Sequence, residues 1–366
     1  MTDSKECAIL KIRSIQISHQ KGCSVMTITP KENFKRFYTH QIPEWLPDYR
    51  KDRQGVICTF LDKMERPRDP QNTDLPLRSG KGQDGFGVWY RVEETSFSAP
   101  SPDTQAEMVL KDITNWRDYV TMPDLETIDW ETMAARDLEK VDHSKFLNMS
   151  IGHGLYERLH FLMGMNEANM ALLEEPEAVE DFFTAYFDYK IALVDKIAQY
   201  YPCVDMLEVS DDWGHKNGLF VSPATWEELF APQVSRLIAH VKSKGFLYLQ
   251  HSCGKNERLI PNMINAGIDV WTSSQAINDL HSIVVHYGDR IICSGGMDLE
   301  EFYEDNYPVE KMRAIVQERI NDLCRGGAFL PYGTFGVKNL AQVVSDVVQE
   351  NRDFFHNPEN CKLPTE

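Results

Sequence analysis

The chain has 366 residues, of which 42% are hydrophobic and 26% charged, a composition typical of a globular protein with a large core. Its formal net charge of −18 disfavours binding to the phosphate backbone of a nucleic acid. No apolar stretch reaches the roughly 18–20 residues that cross a bilayer, and no N-terminal segment has secretory character. We therefore expect a cytoplasmic protein that binds neither membranes nor nucleic acids.

The eight cysteines are spread along the chain without the spacing of a small disulfide-rich domain. We therefore expect core thiols, metal ligands or both. Residues 1–25 lack hydrophobic periodicity, which predicts a peripheral extension before a single domain of residues 26–366. Thr29 and Pro30 have the character of an N-cap and a first helical residue. Two polar stretches, residues 62–84 and 98–104, predict long loops.

Beyond this region, short apolar runs alternate with segments of helical periodicity. The predicted strands are Gly55–Phe60, Phe146–Ile151, Val204–Ser210, Phe246–Gln250, Ile268–Thr272, Ile291–Cys293 and Ala328–Tyr332. Strands that alternate with helices indicate a parallel sheet, and their continuous apolar runs indicate burial on both faces. Seven or eight such repeats favour an α/β fold, a closed (β/α)8 barrel of the TIM type.

Two side chains with metal-binding chemistry end one predicted strand. His251 and Cys253 are two residues apart, so in an extended chain they point to the same side. A thiolate beside an imidazole suits zinc better than magnesium or calcium, and barrel enzymes keep their chemistry at these strand ends. Because Cys293 ends another apolar run in the same manner, we predict that both sulfurs meet around one ion.

Acidic residues follow the strand before His251. Asp211 or Asp212 could ligate the metal while the other orients His251, and we treat both as catalytic candidates together with His251. A solvated turn beside Trp213 is the alternative for this pair. Glu208, on the same strand, is a further candidate ligand.

Five other side chains are candidates for substrate binding at the barrel mouth. The aromatic ones near the N-terminus have an alternative role in the core, and the histidine has one as a surface loop residue. The candidates are Phe86, Trp89, His153, Tyr156 and Tyr332.

Several of these segments, taken in order, resemble the uroporphyrinogen decarboxylase superfamily, and within it the zinc- and corrinoid-dependent methyltransferases. The resemblance runs from about Thr27 to Phe355. It depends on Asp84-Gly-Phe-Gly87, Tyr156-Glu-Arg158, Met163-Gly-Met-Asn-Glu167, Asp211-Asp-Trp-Gly214 before Ser222-Pro223, His251-Ser-Cys-Gly254 and Ser294-Gly-Gly-Met-Asp298. It implies a distorted (β/α)8 barrel with its site at the C-terminal mouth.

The resemblance differs between branches of the superfamily. The decarboxylases carry an arginine-rich N-terminal motif that Arg36-Phe-Tyr-Thr-His-Gln41 lacks. The branch that methylates coenzyme M uses a cysteine after the last strand, and Leu330-Pro-Tyr-Gly-Thr-Phe-Gly336 has none. The branch that demethylates phenyl methyl ethers in anaerobic bacteria is more similar, because it has two cysteines separated by 39 residues, as Cys253 and Cys293 are. Its acidic ligand would fall at Thr225, so an acid from the preceding strand would have to replace it.

This resemblance implies an O-demethylase methyltransferase, which moves a methyl group from a methoxylated, aromatic compound to the cobalt of a corrinoid protein. Zinc would be the cofactor of this chain, and the corrinoid would belong to a partner protein, because the sequence has no Asp-x-His-x-x-Gly cobalamin-ligation motif. A homodimer is compatible with the resemblance. The alternatives are a methyltransferase acting on a thiol such as coenzyme M, a porphyrinogen decarboxylase, and a non-catalytic barrel that senses a small ligand.

Overall fold

The computed structural model describes residues 28–77, 79–92, 101–103, 105–304, 306–333 and 337–365. The predicted extension, residues 1–25, lies outside this range, as does most of the 98–104 segment. Helix α1 spans Pro30–Tyr38 and begins as the sequence predicts. The Thr29 side chain accepts from the Glu32 amide, and the Glu32 carboxylate accepts from the Thr29 amide. This capping box satisfies amides that the helix leaves unpaired.

Seven parallel strands form one curled sheet in the described part of the chain, and they are neighbours in the order in which they occur. The strands are β1 (Arg53–Gly55), β2 (Phe146–His153), β3 (Met206–Ser210), β4 (Leu247–His251), β5 (Val270–Ser274), β6 (Ile292–Gly296) and β7 (Phe329–Tyr332). The predicted α/β, TIM-barrel-like fold is confirmed. Within the described ranges the sheet is a half-barrel whose edge strands are β1 and β7.

Helices follow most of these strands and cover the outer face of the sheet. They are α2 (Thr59–Glu65), α3 (Trp130–Asp137), α4 (Leu155–Met163), α5 (Met165–Glu174), α6 (Pro176–Tyr200), α7 (Pro223–Thr225), α8 (Ala231–Ser243), α9 (Ile260–Ala266), α10 (Leu280–Tyr287), α11 (Val309–Leu323) and α12 (Leu340–Glu350). A π-helical turn, Trp226–Phe230, joins α7 to α8. None of the helices that the structure describes combines the length and the apolar character that crossing a membrane requires.

Two predictions for the first hundred residues were wrong. The predicted strand Gly55–Phe60 is instead the end of β1 followed by α2, which starts at Thr59. The predicted loop 62–84 contains the end of α2 and short antiparallel strands. These strands, together with two later ones, are Arg68–Asp69, Asn72–Pro76, Gly80–Gln83, Trp89–Val92 and Ser101–Pro102. Polar composition concealed them because a sheet outside the barrel needs few apolar residues.

The barrel has two separate hydrophobic clusters. The inner cluster closes the bottom of the barrel and contains side chains from α1 and from six strands: Phe34, Phe37, Tyr38, Phe146, Met206, Leu249, Val270, Ile292 and Leu330. The larger, outer cluster lies between sheet and helices and includes Trp271, Cys293 and Phe329. Because strand side chains alternate between the two faces, this division assigns a face to every strand residue.

Candidate metal centre

Asp212, His251 and Cys253 come together at the C-terminal ends of β3 and β4. One potential ligand atom from each lies within 4.8 Å of the others. The Cys253 Sγ is 3.4 Å from the His251 Nε2, and that nitrogen is 4.0 Å from an Asp212 carboxylate oxygen. The side chains of Asp212 and His251 are about one-third exposed, at 34% and 28%. The group is therefore reachable from the barrel mouth.

Backbone contacts hold this group in place. The Cys253 amide donates to the Asp212 carboxylate at 2.6 Å, and the Trp213 amide donates to the Ser252 hydroxyl at 3.0 Å. Gly254 has φ +89°, and a Cβ there would lie 2.1 Å from the carbonyl carbon of Gly214. Only glycine permits this close approach. The two loops after β3 and β4 are thus fastened to each other at the site.

A bulge in β5 brings Ser273 to the same group. The register of β5 against β6 shifts between Thr272 and Ser274, and Ser273 adopts φ +59°, a strained value for a residue with a side chain. The Ser273 Oγ lies 3.2 Å from the Cys253 Sγ. Ser273 is not predicted as a site residue, because a run of Thr-Ser-Ser carries no signal for a bulge.

The charges of the group favour a bound cation. Burial acts against protonation of His251, but its hydrogen bond with Cys253 and the charges of Cys253 and Asp212 raise its pKa to about 10. Burial and the charge of Glu157 raise the pKa of Asp212. Two acidic groups therefore face one imidazole, and a divalent ion that replaced the imidazole proton would supply the positive charge that balances them. The thiolate, imidazole and carboxylate donors match those of zinc sites.

Asp211 does not join its neighbour in this group. It is 1% exposed, and its carboxylate accepts hydrogen bonds from the Glu157 amide at 2.8 Å, the Tyr156 amide at 3.3 Å and the Trp213 indole at 2.8 Å. These contacts tie the start of α4 to the end of β3. The catalytic role predicted for Asp211 is corrected to a structural one, because its oxygens are occupied.

The Cys293 side chain lies on the outer face of the sheet, away from the group that contains Cys253. The prediction that both sulfurs bind one ion is therefore wrong. Cys293 pairs in register with Trp271 and Phe329, and all three belong to the outer cluster. Burial raises the pKa of the Cys293 thiol to about 12. Its sulfur faces the helices, whereas His251 belongs to the alternate set of positions that faces the barrel interior.

Glu208 does face the interior, since it pairs in register with Leu249 of the inner cluster. Its carboxylate accepts a hydrogen bond from the side-chain amide of Asn148 at 3.3 Å, and its charge makes a smaller contribution to the raised pKa of His251. It is not among the three residues whose ligand atoms converge. Its role as a ligand stays a prediction.

The predicted substrate-binding aromatics divide between core and barrel. Phe86 is 8% exposed under the Arg158 guanidinium, and Tyr156 is fully buried with its hydroxyl on Asn169. Both are corrected to core residues. Trp89 is 37% exposed on the small sheet outside the barrel. Tyr332 lies on the inner face, with its hydroxyl 3.3 Å from the Thr272 hydroxyl.

His153 ends β2 and forms a dyad with Glu157 of α4. The His153 Nδ1 is 2.7 Å from the Glu157 carboxylate. Burial alone would raise the pKa of Glu157, but the charge and hydrogen bond of His153 lower it, with a smaller contribution from His251. The dyad therefore lies within electrostatic reach of the candidate metal centre.

Two of the motifs that carry the resemblance contact each other in a buried ionic network. The Arg158 guanidinium donates to Asp84 at 2.9 Å and to Glu65 at 2.6 Å, and Lys190 donates to Glu65 at 2.8 Å. The side chains of Arg158, Lys190 and Asp84 are 0% exposed. This network fastens the segment 80–92 to the barrel. Sequence analysis did not identify Glu65 or Lys190.

An open cleft of about 710 Å³ begins at Cys253. Its walls come from the loops after β3, β5 and β6, and they include His215, Gln275, Leu299 and Tyr303. A bound molecule could reach the metal centre through this cleft.

Comparisons with known proteins agree with this architecture. The sequence model of the uroporphyrinogen decarboxylase family matches residues 159–324. A solved structure, a methyltransferase from Methanosarcina mazei, has the same fold with a TM-score of 0.63 at 13% sequence identity, over 90% of this chain and 99% of that one. No curated protein sequence matches the chain significantly.

Two sugar epimerases are more distant in structure. A D-psicose 3-epimerase has a TM-score of 0.31 at 10% identity, over 64% of this chain and 84% of that one. The D-psicose 3-epimerase from Clostridium cellulolyticum H10 has a TM-score of 0.35 at 8% identity, over 65% and 86%. The family match supports the resemblance to the uroporphyrinogen decarboxylase superfamily, and the methyltransferase structure supports the fold.

Proposed function

We propose that this protein is a zinc-dependent methyltransferase that moves a methyl group from a methoxylated, aromatic compound to the cobalt of a corrinoid protein. The convergence of Asp212, His251 and Cys253 at an accessible barrel mouth carries this proposal. A protein of the same fold is described as a methyltransferase, which supports the choice of reaction class.

The donor set suits a catalytic rather than a structural zinc site. Structural sites have four protein ligands, whereas catalytic sites keep a position for substrate. Three residues converge in the described part of the chain, which leaves that position free. Bound there, zinc would supply Lewis acidity to the ether oxygen, whose methyl group is otherwise inert because alkoxide and phenolate leave poorly.

The residues around the centre position the ligands and hold a proton. Ser273 donates to or accepts from the Cys253 sulfur, and the Asp212 carboxylate fixes the Cys253 amide. His153, paired with Glu157, can hold the proton that the departing oxygen needs. These contacts hold the side chains around the substrate in place before the reaction. A barrel that positions the reacting groups in this way lowers the barrier for methyl transfer.

A demethylation assay tests the proposal. The zinc-loaded protein is incubated with a methoxylated phenol, such as guaiacol, and cob(I)alamin, and methylcobalamin is followed by its absorbance. We expect turnover, and we expect Cys253→Ala and His251→Ala to lose both zinc and turnover. Cys361→Ala is the matched control, because that thiol bonds a carbonyl near the C-terminal end and does not join the metal group.

A second arm separates demethylation from thiol methylation. The same protein is given methylcobalamin and 2-mercaptoethanesulfonate, and loss of the methyl group from cobalt is measured. Turnover in this arm alone would replace the proposed function with the thiol alternative. Full activity of Cys253→Ala in both arms would remove the metal centre from the mechanism.

A further inference from the structure

Polar side chains line the barrel interior beneath the metal centre. Arg53 of β1 pairs in register with Phe146 of the inner cluster, so it starts on the interior face. Asn148 lies two residues beyond Phe146 and shares that face. Tyr38 of α1 forms part of the barrel floor. Tyr49 packs against this floor, and its ring stacks on that of Tyr332. We refer to Tyr38, Tyr49, Arg53 and Asn148 as the lumen cluster.

The guanidinium of Arg53 lacks an acceptor. Its Nη1 is buried without a hydrogen-bond partner, and in the described ranges no carboxylate or carbonyl accepts from it. The group is held 3.7 Å above the Tyr49 ring, which stacks on Tyr332 with centroids 4.4 Å apart. Glu208, an acid on the same inner face, is hydrogen-bonded to Asn148. A buried guanidinium nitrogen without an acceptor is costly unless a ligand or solvent completes it.

Two more buried polar atoms of the lumen cluster lack partners. Tyr38 is 2% exposed, and its hydroxyl has no hydrogen-bond partner. The same holds for the Asn148 Oδ1. Tyr49 packs against the inner cluster that contains Tyr38 and carries the Arg53 guanidinium over its ring, so the hydroxyl and the guanidinium both lie around Tyr49. A guanidinium and a phenol donor together match the two oxygens of a carboxylate.

The inner face of the sheet is not completely closed to solvent. Arg53, Tyr49, Glu208, His251 and Tyr332 are each only half-buried, although register or stacking places them on the inner face. Stacked tyrosine rings provide a flat wall that suits an aromatic ring. A ring held there could present one substituent to Arg53 and another to the metal centre.

We infer that the substrate is an aromatic acid whose carboxylate binds Arg53 and Tyr38, while its methoxy group faces Asp212, His251 and Cys253. This inference rests on the proposed function and specifies its substrate class. The carboxylate completes the hydrogen bonds of Arg53 and Tyr38, and it fixes which end of the molecule meets the metal.

Binding calorimetry on the full chain tests this inference separately from catalysis. Benzoate, 4-methoxybenzoate and methoxybenzene are titrated into the Cys253→Ala variant, so that the metal centre cannot hold the carboxylate. We expect both acids to bind more tightly than the neutral ether by at least about tenfold, which equals about 1.4 kcal/mol. Arg53→Met should remove this preference, and Arg53→Lys should retain part of it.

The matched control is Arg50→Met, because Arg50 is exposed and donates to Gln342 at 3.0 Å. It should leave benzoate binding unchanged. Since Arg53 also stacks on Tyr49, Arg53→Met could fail to fold, and Tyr38→Phe then provides the second test by weakening benzoate binding about threefold or more. Equal binding of benzoate and methoxybenzene, or unchanged benzoate binding in both variants, overturns the inference.

The outcomes for the inference and for the proposed function are distinguishable. Demethylation of methoxybenzene as fast as of 4-methoxybenzoate would leave the proposed function standing and overturn the inference. Benzoate binding that depends on Arg53, without any demethylation, would support the inference as a binding site and contradict the proposed function. Arg53-dependent binding of 2-mercaptoethanesulfonate in place of benzoate would overturn the carboxylate assignment.

Discussion

Two cysteines near strand ends have different surroundings because their side chains lie on different sides of the sheet. Cys253 follows His251 at the mouth and lies 3.4 Å from its imidazole. Cys293 pairs in register with Trp271 and faces the helices. A shift of one residue along a strand exchanges the two faces. A spacing between cysteines therefore cannot by itself define a ligand pair.

Replacing Cys293 should affect stability and leave the metal centre intact. We expect Cys293→Ala to keep the zinc content of the wild-type protein and to lower the free energy of unfolding by about 1 kcal/mol, because a small buried side chain is shortened. Elemental analysis and denaturant unfolding measure the two effects. Loss of zinc from Cys293→Ala would mean that this sulfur reaches the metal.

Glu65 should make the stability depend on pH in the acid range. Burial alone would raise its pKa, but Lys190 and Arg158 lower it from 4.5 to about 2. A carboxyl with a lowered pKa in the folded protein stabilises it above pH 4.5, and this contribution is lost as the pH falls from about 4.5 to about 2. The interval between the two pKa values corresponds to about 3 kcal/mol.

Unfolding free energies measured between pH 2 and pH 7 check this dependence. Glu65→Gln should lower the stability at pH 7 and remove much of the slope below about pH 4.5. Glu107→Gln is the matched control, because Glu107 forms an exposed pair with Lys111 and should leave the slope nearly unchanged. Identical slopes in wild type and Glu65→Gln would contradict the prediction.

At the level of elements, α1 depends on its capping box. Thr29 and Glu32 exchange hydrogen bonds at the start of the helix, whose Phe34, Phe37 and Tyr38 fill the barrel floor. Thr29→Ala should lower the free energy of unfolding by about 1 kcal/mol. Thr29→Ser keeps the hydroxyl and should stay within about 0.5 kcal/mol of wild type. Equal stabilities of the two variants in thermal or denaturant unfolding would contradict this role.

The bulge of β5 holds strain at Ser273. Its φ of +59° disfavours any side chain with a Cβ. Ser273→Gly and Ser273→Ala both remove the hydroxyl, but only glycine relieves the strain. We therefore expect Ser273→Gly to be more stable than Ser273→Ala by about 1 kcal/mol. Both should bind zinc about tenfold more weakly, because the contact with the Cys253 sulfur is lost; metal titration and unfolding curves test these expectations.

For the whole molecule, contacts between distant segments join the two edges of the sheet. Tyr49 lies between Arg53 of β1 and Tyr332 of β7. Behind it, Arg352 binds the carboxylate of Asp52, and the Ser345 hydroxyl donates to Asp48 at 2.6 Å. The edge strands are thus joined by side chains where the described sheet has no ladder between β1 and β7.

Breaking the Asp52–Arg352 pair should destabilise the entire barrel. The Asp52 side chain is 6% exposed, and its carboxylate accepts hydrogen bonds from both terminal nitrogens of the Arg352 guanidinium. We expect Asp52→Asn to lower the free energy of unfolding by about 3 kcal/mol, because Arg352 loses its counter-charge. Arg313→Met, which breaks a more exposed pair with Glu350, should cost less than about 1 kcal/mol. Similar losses in both variants would contradict the role of this junction.

Local sequence was a good guide where strong periodicity and helix-end signals coincide. The start of α1 after Thr29 matches the sequence prediction, as does the start of β2 at Phe146. The sequence was a poor guide for residues 53–92, where short strands carry few apolar residues. It could not identify the Ser273 bulge or the Glu65 network, because each depends on partners far along the chain.

The amino-acid sequence alone determined the alternation of strands and helices, and it placed His251 and Cys253 together, because two residues so close along the chain lie at the same strand end whatever the rest of the fold. Only the tertiary structure decided which other residues join them. Contacts between strands set the register, and the register turned Asp212 towards the site, occupied Asp211 with the start of α4, and directed Cys293 into the outer core.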